Sequence, residues 1–211
     1  MDWFVKVMIH GGRIYKIKIF KSMDIKKYKL DSDFKNLSLE IDFNVTLDPR
    51  ANVDGRKGNI EPRIQSNVVI QGGLIEDVNN RVLEILKRDF YKKDDLIYTF
   101  RNWVYIVDKE SPEGKHPHNH TKMAELNTEG EWTWVYYVTM PNNLEGDDGR
   151  IYFYDFVNDE EESFLPEVGD LIIFPAHLYH LPKVNPKSNK NRRIIGGITS
   201  EVSYKTKNTL M

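Results

Sequence analysis

Short segments rich in aromatic and β-branched residues, separated by turns, occupy the second half of this chain. Such segments are typical of β-strands, and many short strands with few helices indicate a barrel or a sandwich. The expected strands cover residues 97–107, 132–140, 150–156, 163–166, 171–174 and 193–202. A mainly β fold is therefore predicted for this part of the chain.

The beginning of the chain is also predicted to be rich in β-structure. Two alternating runs, Trp3–Ile9 and Tyr15–Ile19, flank Gly11-Gly12 and predict a β-hairpin. Residues 37–47 carry an apolar side chain at every second position, which predicts a further, half-buried strand.

One helix is expected, over about residues 74–90, where apolar residues recur at helical spacing. We expect it to pack against the sheet. The chain is accordingly divided into an N-terminal β-rich extension over 1–70 and a main domain over 71–211. Together the two parts are expected to form one compact unit.

The composition limits the classes of partner and chemistry. The chain has 211 residues with 30 basic and 32 acidic ones, and it contains no cysteine. Without a basic excess, a nucleic-acid partner is not expected. Disulfides, thiolate ligands and cysteine nucleophiles are excluded. No signal peptide or membrane-length apolar run is evident, so a cytoplasmic protein without a membrane partner is expected.

Five of the six histidines lie in two short segments, residues 116–120 and 177–180. Imidazole is a common ligand for transition metals because it offers a neutral nitrogen near physiological pH. A His-x-His pair with one remote histidine predicts a three-ligand facial site that leaves positions open for substrate or oxygen. Metal chemistry is therefore the leading functional prediction.

The spacing leaves two choices of ligand open. Residues i and i+2 of a strand share a face, so the pair is either His118 and His120 or His116 and His118. The third ligand is either His177 or His180, since both follow Pro175 at a strand end.

Several motifs around the histidines occur in a characteristic order. They are Pro117-His-Asn-His120, Trp134-Val-Tyr-Tyr-Val138, Gly149-Arg-Ile-Tyr-Phe153, Pro166-x-x-Gly169-Asp-Leu-Ile-Ile-Phe-Pro175, His180 and Arg193. Over residues 97–202 this order resembles the Fe(II)- and 2-oxoglutarate-dependent oxygenases, and most of all their small prolyl-hydroxylase-like group from bacteriophages and bacteria. The resemblance implies a double-stranded β-helix, a distorted jelly roll, with the N-terminal hairpin and the helix beside it.

The resemblance also implies a set of iron ligands. His118 matches the first histidine of the family pattern, His120 stands at the position of its usual aspartate or glutamate, and His180 matches the distal ligand. An imidazole in place of a carboxylate leaves the Fe(II) site with one more positive charge. Oxygen activation therefore depends most on His120.

For the co-substrate 2-oxoglutarate, the resemblance implies a basic residue shortly beyond the last histidine. Arg193 matches that place, and a planar guanidinium binds a carboxylate through two parallel hydrogen bonds. Arg192 is expected on the opposite face of the same strand. Tyr137 is a second anchor by position, sharing a face with Thr133, whereas Tyr136 is expected in the core.

The implied activity is that of a dioxygenase, with Fe(II) as cofactor and 2-oxoglutarate as co-substrate. Its substrate is a protein or a small molecule, with peptidyl proline as the choice that the family suggests. A homo-oligomer is compatible with this activity. If the chain is viral, it is expected in the host cytoplasm or the virion.

Two other classes share this barrel. A cupin-type metal protein would use the pattern His118-x-His120-x₄-Glu125 with Glu125 as a fourth ligand, and Arg193 would then have no special role. A structural or assembly protein would keep the barrel without turnover, and its N-terminal hairpin could pair with another subunit through its edge. The oxygenase is preferred because it explains Arg193 and the Tyr136-Tyr137 strand.

Two acidic segments and one glycine pair also occur in the second half of the chain. The acidic segments 147–149 and 159–162 lack the alternating ligand spacing of calcium loops and are predicted to be solvated turns. Gly196-Gly197 removes side chains from the strand that carries Arg193, which either admits a ligand or permits a bulge.

Overall fold

The computed structural model describes residues 3–10, 13–20, 23–47, 64–66, 73–91, 97–107, 116–120, 131–142, 144–183 and 191–201. The elements follow one another as β1 (Trp3–His10), β2 (Arg13–Phe20), β3 (Lys26–Lys29), α1 (Phe34–Leu47), β4 (Ile64–Ser66), α2 (Gly73–Asp89), β5 (Ile97–Val107), β6 (Trp132–Thr139), β7 (Ile151–Asp155), β8 (Glu160–Phe164), β9 (Asp170–Pro175), β10 (Tyr179–Pro182) and β11 (Arg192–Glu201).

The strands form three antiparallel sheets. The predicted N-terminal hairpin is confirmed, because β1 pairs with β2 in a register that places His10 opposite Arg13. A six-stranded major sheet has the order β3-β9-β6-β11-β5-β4, and a three-stranded minor sheet has the order β10-β7-β8. The predicted mainly β fold is therefore confirmed.

Side-chain alternation along β6 shows how the layers stack. Trp134 and Tyr136 belong to a core between the major sheet and the two helices. Val135 and Tyr137 belong to a second core that also contains Phe153 of the minor sheet. Since successive residues of a strand point to opposite faces, the helices cover one face of the major sheet and the minor sheet covers the other.

The helix predicted near residues 74–90 is confirmed as α2. Its buried stripe consists of Ile75, Val78, Val82, Ile85 and Leu86. The carboxylate of Glu40 on α1 accepts hydrogen bonds from the first backbone amides of α2, at 2.8 Å from Leu74 N and 3.1 Å from Ile75 N. Gly73, with φ of 70°, leaves room for that carboxylate. These bonds satisfy amides that have no partner inside the helix.

The strand predicted over residues 37–47 is wrong, because this segment is the helix α1. The side chains of Leu37 and Ile41 are fully buried, whereas Leu39 is 58% exposed and Phe43 is 62% exposed. Burial thus follows a four-residue helical spacing and not the two-residue spacing of a strand. Asp33 caps the helix by accepting a hydrogen bond from the backbone amide of Asn36.

Most strands predicted in the second half are confirmed within one or two residues. The strand expected at 163–166 begins earlier, as β8, so Glu160–Glu162 are strand residues and not part of a turn. The short strands β3, β4 and β10 were not predicted. Because β3 and β4 pair with strands of the major sheet, both sides of the proposed boundary near residue 70 contribute to that sheet. The boundary itself stays a prediction.

Among the described helices, none combines the length and the apolar character needed to cross a membrane.

Candidate metal centre

Backbone pairing brings the two histidine segments together. The backbone amide of His118 donates to the carbonyl of His180 at 3.0 Å, and the amide of His180 donates back to His118 at 2.8 Å. The amide of His120 donates to the carbonyl of Ala176 at 2.9 Å. Segment 116–120 therefore runs antiparallel beside β10 and extends the minor sheet locally.

Three imidazoles meet at this junction. The ligand nitrogens of His118, His120 and His180 all lie within 4.8 Å of one another. Their ring centroids are 4.3 Å apart for His118 and His180, 4.9 Å for His120 and His180, and 5.4 Å for His118 and His120. Such a set of nitrogen donors can hold a transition metal ion.

His180 forms the buried end of the cluster and is 4% exposed. Its ring contacts Phe174 and Phe153, with centroid distances of 4.9 and 6.2 Å. Burial lowers the pKa of His180 well below its ordinary value, and the neighbouring His118 and His120 lower it further. The imidazole is therefore neutral at pH 7, which is the state that binds a metal.

The orientation of the His180 ring is set by its backbone surroundings. Its Nδ1 lies 3.3 Å from the carbonyl oxygen of Leu178. A carbonyl only accepts hydrogen bonds, so Nδ1 carries the proton and Nε2 keeps a lone pair. This arrangement is common for metal-binding histidines, where the second nitrogen donates to a carbonyl or a carboxylate.

The remaining histidines of the two segments lie outside this cluster. His116 is exposed, and His177 is exposed in the turn between β9 and β10. Of the choices that the spacing left open, the structure brings together His118, His120 and His180. Metal binding by these three residues stays a prediction. Glu125, the fourth ligand of the cupin interpretation, lies outside the described residues.

Tyr137 lies in the core between the two sheets and is 2% exposed. Burial raises the pKa of its hydroxyl well above the ordinary value, and the positive charge of Arg192 opposes that shift. The phenol is therefore protonated at neutral pH and is able to donate a hydrogen bond. On the same face of β6, the buried hydroxyl of Thr133 has no hydrogen-bond partner in the described part of the chain.

The structure does not bring Arg193 to this core, which corrects its expected orientation. The guanidinium of Arg193 forms two hydrogen bonds to the carboxylate of Asp42 on α1, at 2.7 and 2.8 Å. Ile195, two residues along the strand, lies in the core beneath the helices. Arg193 therefore faces the helices. The sequence could not show which face of β11 points to the helices, because apolar residues, Ile194 and Ile195, lie on both faces of this strand.

Arg192, and not Arg193, lies on the face of β11 that points to the core between the two sheets. It lies on the same face as Ile194, which packs against the core between the sheets. Its side chain is buried, and its Nη1 donates to the carbonyl of Lys183 at 2.8 Å, just beyond the end of β10. Arg192 thus extends from the major sheet to the minor sheet near Tyr137. The sequence indicated only that it and Arg193 lie on opposite faces.

Two tryptophans explain the glycine pair on β11. A Cβ atom at Gly196 would lie 2.6 Å from the indole of Trp103, and one at Gly197 would lie 2.4 Å from the indole of Trp134. Close packing of these rings therefore requires both glycines. The Trp103 ring also lies 5.1 Å from that of His120, a contact that the sequence analysis missed. In the sequence, Trp103 was marked only as an aromatic residue of the predicted strand that precedes the histidines.

Comparison with known proteins places this geometry in a structural class. No sequence model of a known family matches the chain, and no curated protein matches it. Its fold is similar to that of a prolyl-4-hydroxylase from Pseudomonas putida, with a TM-score of 0.56 and 11% identity over 86% of this chain and 95% of that one.

Two further solved structures are similar. One is the viral collagen prolyl hydroxylase vCPH from Paramecium Bursaria Chlorella virus-1 in its 2-oxoglutarate complex, with a TM-score of 0.53 and 16% identity over 85% of this chain and 96% of that one. The other is HygX from Streptomyces hygroscopicus with nickel and 2-oxoglutarate bound, with a TM-score of 0.61 and 8% identity over 85% and 83%. The chain therefore has the double-stranded β-helix fold of the Fe(II)/2-oxoglutarate oxygenases, and its three histidines form a cluster that can bind iron.

Proposed function

We propose that this protein is an Fe(II)- and 2-oxoglutarate-dependent dioxygenase that hydroxylates a C–H bond of its substrate. The observation that carries this proposal is the cluster of His118, His120 and His180 in a fold shared with such oxygenases. Peptidyl proline is the proposed substrate group, because two of the similar structures are prolyl hydroxylases. Fold alone does not determine the substrate, so this choice needs its own test.

The donor set suits the proposed metal. Imidazole nitrogens bind Fe(II) as well as nickel and zinc, and the orientation of His180 leaves Nε2 available as a donor. The exposure of the three residues falls from His118 through His120 to His180, so the open side of the site lies at His118. When bound, iron and 2-oxoglutarate would activate molecular oxygen, so that one of its oxygen atoms would enter the substrate C–H bond and the other would enter succinate, formed from 2-oxoglutarate with release of carbon dioxide.

The residues around the cluster would prepare the site for that chemistry. His118 and His120 would hold the metal from the open side, and His180 would hold it from the buried side. The rings of Phe153 and Phe174 pack on His180 and exclude water from its inner face. A dry wall of this kind strengthens electrostatic interactions within the site.

Arg192, in place of Arg193, is the proposed anchor of the distal carboxylate of 2-oxoglutarate. Its guanidinium is buried on the inner face of the major sheet, and its charge acts on Tyr137. A charge-assisted hydrogen bond from Arg192 would be joined by one from the protonated hydroxyl of Tyr137. Tyr137 thus keeps its proposed role as second anchor.

The third histidine changes the charge of the proposed site. With three neutral imidazoles, a bound divalent ion keeps its full double positive charge, whereas an aspartate at position 120 would remove one unit. An anionic keto acid is therefore expected to bind more tightly to the native protein than to a His120→Asp variant. Within this proposal, His120 favours binding of the co-substrate.

Formation of succinate tests the proposed activity. The native protein would be incubated in air with Fe(II), 2-oxoglutarate and a panel of proline-containing peptides. Succinate would be followed by NMR and the peptides by mass spectrometry. We expect succinate above the level of a His180→Ala control and a mass gain of one oxygen atom in a responsive peptide. Succinate at the level of the control with every peptide would contradict the proposal.

A further inference from the structure

A row of aromatic side chains lies on the outer face of the minor sheet. We call it the aromatic strip and define it as Tyr152, Tyr154, Phe156 and Tyr179. Along β7 and the turn after it, the rings of Tyr152 and Tyr154 are stacked with centroids 6.4 Å apart, and those of Tyr154 and Phe156 with centroids 5.8 Å apart. Tyr179 of β10 meets Phe156 edge-on at 5.1 Å.

The strip is accessible to a partner. Phe156 is 65% exposed and Tyr179 is 38% exposed. The alternate residues of β7, Ile151 and Phe153, fill the core between the sheets, so the strip is the opposite face of the same strand. Exposed apolar groups that lie side by side are a common property of interaction surfaces.

The segment that carries β7 and β8 is strongly acidic. Residues 144–165 contain one basic residue, Arg150, and eight acidic ones, whereas the whole chain has a net charge of −2. The acidic residues are Glu145, Asp147, Asp148, Asp155, Asp159, Glu160, Glu161 and Glu162. Glu161 lies directly opposite Tyr154 in the pairing of β7 with β8, which places a carboxylate beside an aromatic ring.

An aromatic face beside carboxylates attracts lysine and arginine side chains. The cation is held over the ring by its quadrupole and is paired with the carboxylate. Same-face side chains of an extended peptide repeat every two residues, at about 6.6 Å, which is close to the spacing of the rings in the strip. A nucleic acid does not suit this surface, because its phosphates would be repelled.

Protection of a sheet edge explains only part of this arrangement. Charged residues on an edge strand prevent pairing with other chains, which accounts for glutamates on β8. It does not account for the aligned rings of Tyr152 and Tyr154 on β7 or for the exposure of Phe156 and Tyr179. We propose that the aromatic strip is a docking surface for an extended, lysine- and arginine-rich segment of a partner protein.

This surface is separate from the candidate metal centre. On β10, Tyr179 is exposed at the outer face while the adjacent His180 is buried against Phe174. Docking at the strip therefore needs no metal and is tested in its absence. The proposal goes beyond the proposed oxygenase function, and neither depends on the other.

The test measures binding of a fluorescent peptide with lysine at alternate positions, by anisotropy, in low salt and excess EDTA. We expect saturable binding that weakens with added salt. Phe156→Ser and Glu161→Gln should each weaken it about threefold to fivefold, as expected for loss of an exposed cation–π or ion-pair contact. A peptide with glutamine in place of lysine should not bind.

Two matched controls separate docking from general attraction. Phe43 of α1 is 62% exposed, much like Phe156, and Glu84 of α2 is an exposed glutamate on the helix-covered side of the protein. Phe43→Ser and Glu84→Gln should leave the affinity unchanged. The proposal is overturned if native protein does not bind, if the controls lose as much affinity as the strip variants, or if the glutamine peptide binds equally well.

Discussion

Two neighbouring arginines, Arg192 and Arg193, lie on opposite faces of β11 and have different surroundings. Arg192 is buried on the side of Tyr137, and Arg193 is held by Asp42 on the side of the helices. The proposed anchoring of 2-oxoglutarate depends on this difference. The two residues also give a matched pair of variants, because each removes one guanidinium from the same strand.

Arg192→Met is expected to weaken binding of 2-oxoglutarate by about tenfold to a hundredfold, the range for loss of a charge-assisted hydrogen bond. Arg193→Met should leave this affinity within about twofold, because its partner is a carboxylate of the protein. Calorimetric titration of 2-oxoglutarate into the nickel-loaded proteins measures both. A greater loss for Arg193→Met would reverse the assignment.

The histidines illustrate what residue spacing can and cannot determine. Two clusters in a chain without cysteine were enough to predict a metal site. The choice between His116 and His120, and between His177 and His180, depended on backbone pairing between segments about sixty residues apart. That pairing places His118 opposite His180. Such a register is set by tertiary contacts, which a single sequence does not reveal.

The helix α1 shows how an alternating apolar pattern can predict the wrong element. Apolar residues at every second position satisfy a strand, but some of them also satisfy a helix at four-residue spacing. The cap at Asp33 and the packing of Leu37 and Ile41 against the major sheet favour the helix. By contrast, α2 was predicted correctly because its apolar residues fit helical spacing alone.

A pair of alanine variants distinguishes the two conformations of this segment. For the helix, Ile41→Ala should lower the free energy of unfolding by about 2–4 kcal/mol, because it removes a fully buried side chain. Leu39→Ala should change it by less than about 0.5 kcal/mol, because that side chain is largely exposed. Urea unfolding measures both, and similar losses would indicate the strand.

The attachment of β3 to β9 depends on a buried carboxylate. Asp170 is 1% exposed and contacts Lys27 at 2.7 Å and Lys29 at 3.2 Å. It also accepts a hydrogen bond from the backbone amide of Glu167 at 2.7 Å. Burial alone would raise the pKa of Asp170, but these hydrogen bonds and the lysine charges outweigh it, so the pKa lies below its ordinary value.

A lowered pKa in the folded protein gives the stability contribution of Asp170 a definite pH dependence. The contribution is fully present above the unfolded pKa of about 3.9 and is lost as the pH falls through the lower folded value. Asp170→Asn should therefore cost about 1–2 kcal/mol at pH 7. The difference from native protein should shrink below pH 4. Urea unfolding at several pH values checks this, and a constant difference would exclude the carboxylate as its source.

Element length explains the other differences from the sequence analysis. The long strands β5, β6 and β11 were predicted, whereas β3, β4 and β10 have four, three and four residues. Segments this short carry too few positions for a periodicity to be recognised. The start of β8 was predicted too late, because its glutamates disfavour a strand locally. Pairing with β7 overcomes that preference.

In the whole molecule, the major and minor sheets separate three features of the protein. The helices cover the outer face of the major sheet, the candidate metal centre lies at the junction of segment 116–120 with β10, and the aromatic strip lies on the far side of the minor sheet. Identity to the similar oxygenases is 16% or less, so the shared fold does not fix the substrate. We propose that two distant segments of the chain form one iron site.

The most direct test of that claim is an anaerobic titration followed by visible absorption. Fe(II) is added to the metal-free protein first, and 2-oxoglutarate second. The weak charge-transfer band of an iron-chelated keto acid should appear with one equivalent of Fe(II) in the native protein and should be absent in His180→Ala. Folding of the variant is checked by circular dichroism. A native protein that gives no band, or a band that persists in a folded His180→Ala variant, would contradict iron binding by these histidines.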